Sequence, residues 1–134
     1  MQFWKQIFQF YLGGALYMTL EFLWRGRSHG SMFLLGGGCF LLLGRLGQLK
    51  RPPLHSAIYG SILVTALELL TGLLINQDYS VWDYRSVPMN FCGQICLPYS
   101  LLWAPLSLFA MLLYEKSNGW IDISLRCCTI KEKQ

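Results

Sequence analysis

The sequence predicts an all-α fold, a four-helix transmembrane bundle with both termini in the cytosol and a polar outer loop between helices three and four. Hydrophobic residues make up 54% of the chain and charged residues only 13%, whereas soluble domains carry about 25% charged residues. A helix needs roughly 20 mostly apolar residues to span a bilayer. Four segments are long enough, namely residues 3–24, 31–49, 55–76 and 91–114. We therefore expect a multi-pass protein of the cell membrane.

The boundaries of the membrane domain follow from where the last apolar segment stops. We predict one integral membrane domain over residues 1–114 and a cytosolic or interfacial tail over residues 115–134. Pro88 disfavours helical geometry at Val87. The fourth helix is therefore predicted to begin near Asn90.

The orientation of the bundle follows from its basic residues, because Lys and Arg near helix ends accumulate on the cytoplasmic side. An N-terminus in the cytosol puts eight basic residues inside and three outside. The inner eight are Lys5, Arg45, Lys50, Arg51, Lys116, Arg126, Lys131 and Lys133, and the outer three are Arg25, Arg27 and Arg85. These 11 basic residues and seven acidic ones give the net charge of +4. Because basic residues form no stripe interleaved with aromatics, we expect no nucleic-acid partner.

In this topology, most of the polar residues that have no evident role in spanning the membrane lie at the outer end of the bundle. They are Glu21, Arg25, Arg27, His29, Glu68, Asp78, Asp83, Arg85, Asn90 and Gln94. This convergence predicts an outward-facing polar pocket.

Glu68 is the most informative of these residues because it lies inside the third apolar segment. A charged side chain at the centre of a spanning helix costs about 2.5–3.5 kcal/mol. Ser61, Thr65, Glu68, Gly72 and Asn76 recur every three or four residues, so they form one stripe that should face the bundle interior. Glu68 is predicted to make a structural hydrogen bond or ion pair, or else to act in binding or proton transfer.

The end of helix one and the loop after it carry a second polar group. Glu21 and Arg25 are four residues apart and can pair on one helix face. Arg25, Arg27 and His29 lie within five residues and suit an anion, because the planar fork of arginine matches carboxylate and phosphate. The alternative is an interfacial anchor in which Trp24 and the arginines contact lipid.

The outer loop, residues 77–90, begins the third polar group. Asp83 is predicted to pair with one of the nearby arginines. If helix four begins near Asn90, that residue shares a helix face with Gln94. Pro98 would then leave the Gln94 carbonyl without a helical partner, free for a ligand. Kinking for packing is the alternative role of this proline.

The cysteines give little support to a metal or redox site. Cys92 and Cys96 are four residues apart on the predicted helix, which differs from a CxxC motif. Cys127 and Cys128 lie in the predicted cytosolic tail, where thiols stay reduced, and we hypothesise acylation there. We expect no disulfide, no metal site and no cofactor.

Four motifs occur in the chain in this order: "LEFLWRGRSHGSMFLLGG", "ALELLTGLLIN", "VWDY" and "PMNFCGQICLPYSLLW". Together they resemble the CmpB-like, "putative ABC-transporter type IV" family of bacterial membrane proteins, and the resemblance covers about residues 13–113. It implies a permease-like component. The chain has no GxxxxGK[ST] motif, so it is not expected to be the ATPase. The motif positions of interest are those we predict to form a ligand-binding site, and the family assigns them no role; they are Glu21, Arg25, Arg27, His29, Glu68, Trp82, Asp83, Tyr84, Asn90 and Gln94.

Three functions are compatible with these observations. The first is a permease-like membrane protein that binds or moves a small solute or lipid headgroup, with an anionic molecule as ligand and a homo-oligomer or partner subunit completing the path. The second is an intramembrane enzyme acting on a lipid or lipid-linked substrate through Glu68, Asp83 and His29. The third is a structural subunit of a membrane complex, in which the polar cluster only holds the helices together.

Overall fold

The computed structural model describes residues 2–131 and contains four helices. They are α1 (Gln2–Arg25), α2 (Gly30–Gly47), α3 (Pro53–Ile75) and α4 (Leu97–Lys131). Between α3 and α4, the short strands β1 (Asn90–Phe91) and β2 (Ile95–Cys96) pair antiparallel. The four predicted helices are confirmed, and the hairpin is an addition that the sequence pattern did not indicate.

Three of the helical segments are long and apolar enough to cross a membrane: Gly30–Gly47, Pro53–Ile75 and Leu97–Thr129. α1 has a comparable length of 24 residues but is less apolar. Its polar residues include Lys5, Gln9 and Glu21, and they lower its hydropathy. Length and composition therefore support three spans directly.

The helix α2 is the centre of the bundle, because it packs against α1, α3 and α4. Half of its residues are buried. Glycines bring α1 and α2 into close contact: a methyl group at Gly13 would overlap Phe40, and one at Gly36 would overlap Tyr17. Small residues of this kind let transmembrane backbones approach. The contact fixes Tyr17 against the middle of the bundle.

The predicted start of helix four near Asn90 is wrong, because α4 begins at Leu97. Cys92 and Gly93 have positive φ angles of 53° and 64°, which end any helical geometry and form the turn of the hairpin. Asn90 and Gln94 therefore do not share a helix face, and Cys92 and Cys96 are not one helical turn apart. Pro98 is the second residue of α4, where a missing N–H costs no helical hydrogen bond.

The helix α4 does not end at residue 114, where the predicted membrane domain stops and the predicted tail begins. The helix passes residue 114 without a break and continues to Lys131, for 35 residues in all. At 1.5 Å per residue this is about 52 Å, well above the roughly 30 Å hydrocarbon core of a bilayer. The tail is therefore helical over its described part, and the division at residue 114 stays a prediction. Lys133, which contributed to the predicted orientation, lies outside the described residues.

Candidate functional site

Glu68 lies in the interior of the bundle and is only 4% exposed. Its carboxylate accepts a hydrogen bond from the Tyr17 hydroxyl at 3.3 Å and another from the Trp103 indole N–H at 3.0 Å. The rings of Tyr17 and Trp103 stack with their centroids 5.7 Å apart. The inward stripe on α3 is thus observed, and Glu68 connects α1, α3 and α4. Trp103 is not among the residues predicted from the sequence, although the signal was present: an indole N–H within an apolar segment requires an acceptor.

Two buried amides hold the loop between α3 and α4 against the end of α3. The side chain of Asn76 is fully buried, and that of Gln94 is 2% exposed. The Asn76 amide nitrogen donates to the Trp82 carbonyl at 2.6 Å and to Gln94 Oε1 at 3.0 Å. Its oxygen accepts from the backbone N–H groups of Val81 and Trp82 at 2.9 and 3.3 Å. These contacts determine where the loop lies above the helices.

The carbonyl of Gln94 is not free, contrary to the expectation based on Pro98. It accepts a hydrogen bond of 2.9 Å from the Trp82 indole N–H. The Gln94 side-chain amide donates to the Asn76 carbonyl at 2.9 Å. Gln94 and Trp82 therefore lie together, as part of the support beneath the loop.

The exposed residues of the loop pair locally. Asp83 accepts hydrogen bonds from the Arg85 guanidinium at 2.6 to 3.0 Å, so Arg85 is the arginine partner of Asp83. These hydrogen bonds lower the pKa of Asp83 to about 2, and the carboxylate is ionised at neutral pH. Asn90 caps the hairpin turn by accepting from the Gly93 N–H at 3.1 Å.

The predicted anion-binding residues after α1 contact different partners. Arg25 forms an ion pair with Glu21 and donates to the Val81 carbonyl at 3.3 Å. His29 is the N-cap of α2, with its Nδ1 accepting from the Ser31 N–H at 3.2 Å. Arg27 is exposed. Of the three, Arg25 is the one that the Glu21 ion pair holds against the bundle.

An aromatic group surrounds the Glu21–Arg25 pair. Tyr84 stacks on Tyr99 with ring centroids 5.0 Å apart, and the Trp24 indole N–H donates to the Tyr99 hydroxyl at 3.1 Å. Burial raises the pKa of Tyr84 above its ordinary value, so its phenol stays protonated. Tyr99 had not been predicted as a site residue; its position just after the hairpin brings it to this end of the bundle.

Two adjoining, partly open cavities lie between α1 and α4, and α2 also lines the larger one; together we call them the α1–α4 cleft. The larger cavity, about 170 Å³, is almost entirely apolar, and the smaller, about 130 Å³, is also lined by Glu21, Arg25, Tyr84 and Tyr99. Leu20, Trp103 and Leu106 line both cavities. The larger cavity extends along the helices past Gly13, Phe40, Phe109 and Leu113. The cleft therefore combines an apolar chamber with a charged and aromatic end.

The predicted site residues thus form three sets. Glu21, Arg25 and Tyr84 line the cleft, whereas Glu68, Trp82 and Gln94 belong to the hydrogen-bonded support behind and above it. The third set is exposed and lies between the helices; it comprises Arg27, His29, Asp83 and Asn90. Within residues 2–131, no group of three His, Cys, Asp or Glu side chains is arranged to hold a metal ion.

A family model described as "Putative ABC-transporter type IV" matches residues 6–127. The chain belongs to this family. The match extends beyond the region of resemblance, residues 13–113, and includes most of α1 and nearly all of α4. Membership of the ABC-transporter type IV family and the three apolar helices together identify a membrane protein related to transporters. The comparisons with curated proteins and with solved structures each give no match.

Proposed function

We propose that this protein is a permease-like component of the cell membrane whose α1–α4 cleft binds an amphiphilic molecule, a lipid or a lipid-like solute. The observation that carries the proposal is the continuity of the apolar chamber with the end that bears Glu21 and Arg25. A molecule with an apolar chain and a charged headgroup matches both parts at once. A small polar solute would match only the second part.

The proposal includes four spans with both termini in the cytosol. At 1.5 Å per residue, the 24 residues of α1 extend about 36 Å, enough to cross the hydrocarbon core. Its outward surface carries large exposed apolar side chains such as Phe8, Phe22 and Leu23, whereas the polar Gln9 is fully buried. The low hydropathy of α1 thus comes partly from a side chain that faces the protein. This arrangement supports α1 as a lipid-facing helix.

Cysteine labelling tests this topology. Cys92 is exposed in the hairpin turn, and Cys127 and Cys128 are exposed near the end of α4. We expect an impermeant maleimide to label Cys92 in intact cells and to label Cys127 and Cys128 only after lysis. Single-cysteine versions of the chain make the two results independent. Labelling of Cys127 or Cys128 in intact cells would contradict the proposed orientation.

Within the cleft, Arg25 is the residue suited to an anionic headgroup. Its guanidinium is partly buried and paired with Glu21, and arginine binds phosphate and carboxylate through paired N–H groups. Glu21 would accept from a headgroup ammonium, so the pair suits a zwitterion as well as an anion. Tyr84 and Tyr99 give this end an aromatic wall. Glu68, Asn76 and Gln94 act here as supports that hold Trp103 and the outer loop in place.

The size of the cleft supports an incomplete transport path in a single chain. Its larger cavity holds about 170 Å³, and pockets that enclose drug-sized ligands are about 300–1,000 Å³. One chain therefore covers part of a ligand. A homo-oligomer or a partner subunit would complete the path.

Native mass spectrometry of the gently solubilised protein tests the ligand directly. We expect wild type to retain a lipid or amphiphile, and Leu106→Trp, which fills the space shared by both cavities, to lose at least about nine-tenths of it. Leu101→Trp is the matched control, because Leu101 lies on the same helix and is 64% exposed to the outside. An equal loss in the two variants, or a wild-type protein without bound molecules, would overturn the proposal.

The headgroup contact needs a second pair of variants. Arg25→Gln alone leaves the Glu21 carboxylate without its partner, so Glu21→Gln/Arg25→Gln is measured beside it. If Arg25 binds the headgroup, both variants weaken retention about tenfold, which matches the loss of one charge-assisted hydrogen bond. Retention restored in the double variant would show that only the unpaired carboxylate had disturbed the cleft.

The structural-subunit function is favoured by a specific observation, the closed hydrogen-bond network of Asn76, Trp82 and Gln94. These groups satisfy one another and need no ligand. If the protein is only a scaffold, Leu106→Trp changes neither bound lipid nor transport, while variants of the network unfold it. The enzyme hypothesis has less support, because Glu68, Asp83 and His29 each contact different partners.

A further inference from the structure

A further cavity lies at the opposite end of the bundle from the Glu21–Arg25 pair. It is bordered by the end of α2, the start of α3 and the middle of α4, and its volume is about 530 Å³. We call it the turn cavity; its polar lining includes Gln48, Lys50, Arg51, Ser56, Glu115 and Asn118. Its floor contains the buried residues Met111 and Tyr114. It shares no lining residue with the α1–α4 cleft.

One of the two basic residues that line the turn cavity has no acidic partner. Glu115 is paired with Lys50 at 2.7 Å, and Asp122 is paired with Lys5 from α1, which lies outside the lining. Among residues 2–131, Arg51 has no carboxylate partner. Arg51 is therefore the lining cation whose charge is available to a ligand.

The position of Arg51 leaves its hydrogen-bond donors available. Its guanidinium carbon lies 4.8 Å from the centroid of the Tyr59 ring, which is a cation–π contact. Such a contact involves the charge of the guanidinium and does not require its N–H donors, which suit phosphate geometry. The contact with Tyr59 therefore leaves these donors available to a ligand.

Two further features of the lining suit an anion. The Ser56 hydroxyl is buried in the cavity wall, and its contact with the Arg51 carbonyl is long, at 3.5 Å. The start of α3 also borders the cavity, and Pro52 at its N-cap makes no side-chain hydrogen bond to the first turn. A helix N-terminus carries a partial positive charge that favours anions. Both features act on the same space as Arg51.

From this combination we infer that the turn cavity binds the phosphate group of a phosphate-bearing ligand, with Arg51 as the cation and Ser56 as a hydroxyl donor. Met111 and Leu108 would contact an apolar part adjoining the phosphate. Two sources share this chemistry: the headgroup of an anionic lipid and a soluble phosphate ester. This site is separate from the proposed amphiphile site, and neither depends on the other.

The lipid arm of the test uses the full-length protein in phosphatidylcholine nanodiscs containing a minor fraction of phosphatidylglycerol, with retained phosphatidylglycerol counted by native mass spectrometry. The soluble arm titrates inorganic phosphate and glycerol phosphate by calorimetry into nanodiscs of phosphatidylcholine alone. Wild type is measured beside Arg51→Gln, Arg51→Lys and Arg45→Gln. Arg45 is the matched control, because it is exposed in the last turn of α2 and outside the cavity.

We expect Arg51→Gln to weaken binding about tenfold, as the loss of a charge-assisted contact does. Arg51→Lys should retain part of the affinity, and Arg45→Gln should change it less than about twofold. Binding in the lipid arm alone assigns a lipid headgroup, and binding of the phosphates assigns a soluble ester. No binding in either arm, or equal losses in Arg51→Gln and Arg45→Gln, would overturn the inference. Arg51→Gln should leave the molecule retained in the α1–α4 cleft unchanged.

Discussion

Replacing Asn76 with alanine is expected to lower the free energy of unfolding by about 3 kcal/mol or more, because several buried groups lose their partners at once. The Asn76 side chain is fully buried and forms hydrogen bonds with four groups. They are the Val81 N–H, the Trp82 N–H, the Trp82 carbonyl and the Gln94 side-chain amide. An alanine cannot replace any of these hydrogen bonds. Unfolding in mixed micelles of increasing denaturing-detergent content measures the effect.

The neighbouring residue supplies the control for Asn76. Gln77 also carries an amide, but it is exposed and donates only to the Leu73 carbonyl at 2.9 Å. Gln77→Ala should change the free energy of unfolding by less than about 0.5 kcal/mol. Hydrogen exchange of residues 77–96 should accelerate in Asn76→Ala alone. Equal stability of the two variants would show that the amide network does not hold the loop.

Gly36→Ala is the second large effect, with an expected loss of about 2 kcal/mol or more through overpacking. A methyl group at Gly36 would overlap the Tyr17 side chain, and the α1 backbone at Gly13 lies immediately beyond it. The helices must therefore separate or shift to accommodate alanine. Tyr17 would move with α1, so the stack on Trp103 and the hydrogen bond to Glu68 should weaken as well.

Gly38 on the same helix is the matched control for Gly36. No atom lies within 4 Å of a methyl group built at Gly38, and alanine favours a helix over glycine by about 1 kcal/mol. Gly38→Ala should therefore be neutral or slightly stabilising in the same unfolding experiment. A loss in Gly38→Ala as large as that in Gly36→Ala would contradict the close α1–α2 contact.

The helices and the inward stripe of α3 were predictable because both depend on local patterns. Apolar segments of sufficient length indicate helices, and the spacing of Ser61, Glu68 and Asn76 indicates one face of α3. The pairing of Glu21 with Arg25 followed from their separation of four residues. All of these relations lie within one helix, where geometry follows from spacing alone.

The hairpin could not be predicted from such patterns. It forms because Gln94 and Trp82 find partners across the loop and on Asn76, and because Cys92 and Gly93 adopt positive φ angles. Pro98 was ambiguous, since a proline is tolerated in the first turn of a helix as well as at a kink. Tertiary contacts decided between these two roles.

The α1–α4 cleft and the turn cavity could not be predicted from the sequence for a related reason. The cleft lies between two helices that are far apart in the sequence, and the charge available in the turn cavity depends on which lysine pairs with each carboxylate. Neither relation leaves a periodic signal. The predicted cluster of polar residues identified one end of the bundle as a region of interest, but it did not separate the roles of its members. The structure places Glu68 and Gln94 in the hydrogen-bonded support and Arg25 in the lining of the α1–α4 cleft.

The most direct test of the amphiphile site is photo-crosslinking with a lipid that carries a diazirine in its acyl chain, followed by peptide mapping of the adducts. If the cleft holds the chain, adducts concentrate in residues 13–20 and 103–113, and they fall sharply in Leu106→Trp while persisting in Leu101→Trp. Adducts spread evenly over the lipid-facing surfaces of α2, α3 and α4, with the same pattern in Leu106→Trp, would contradict it.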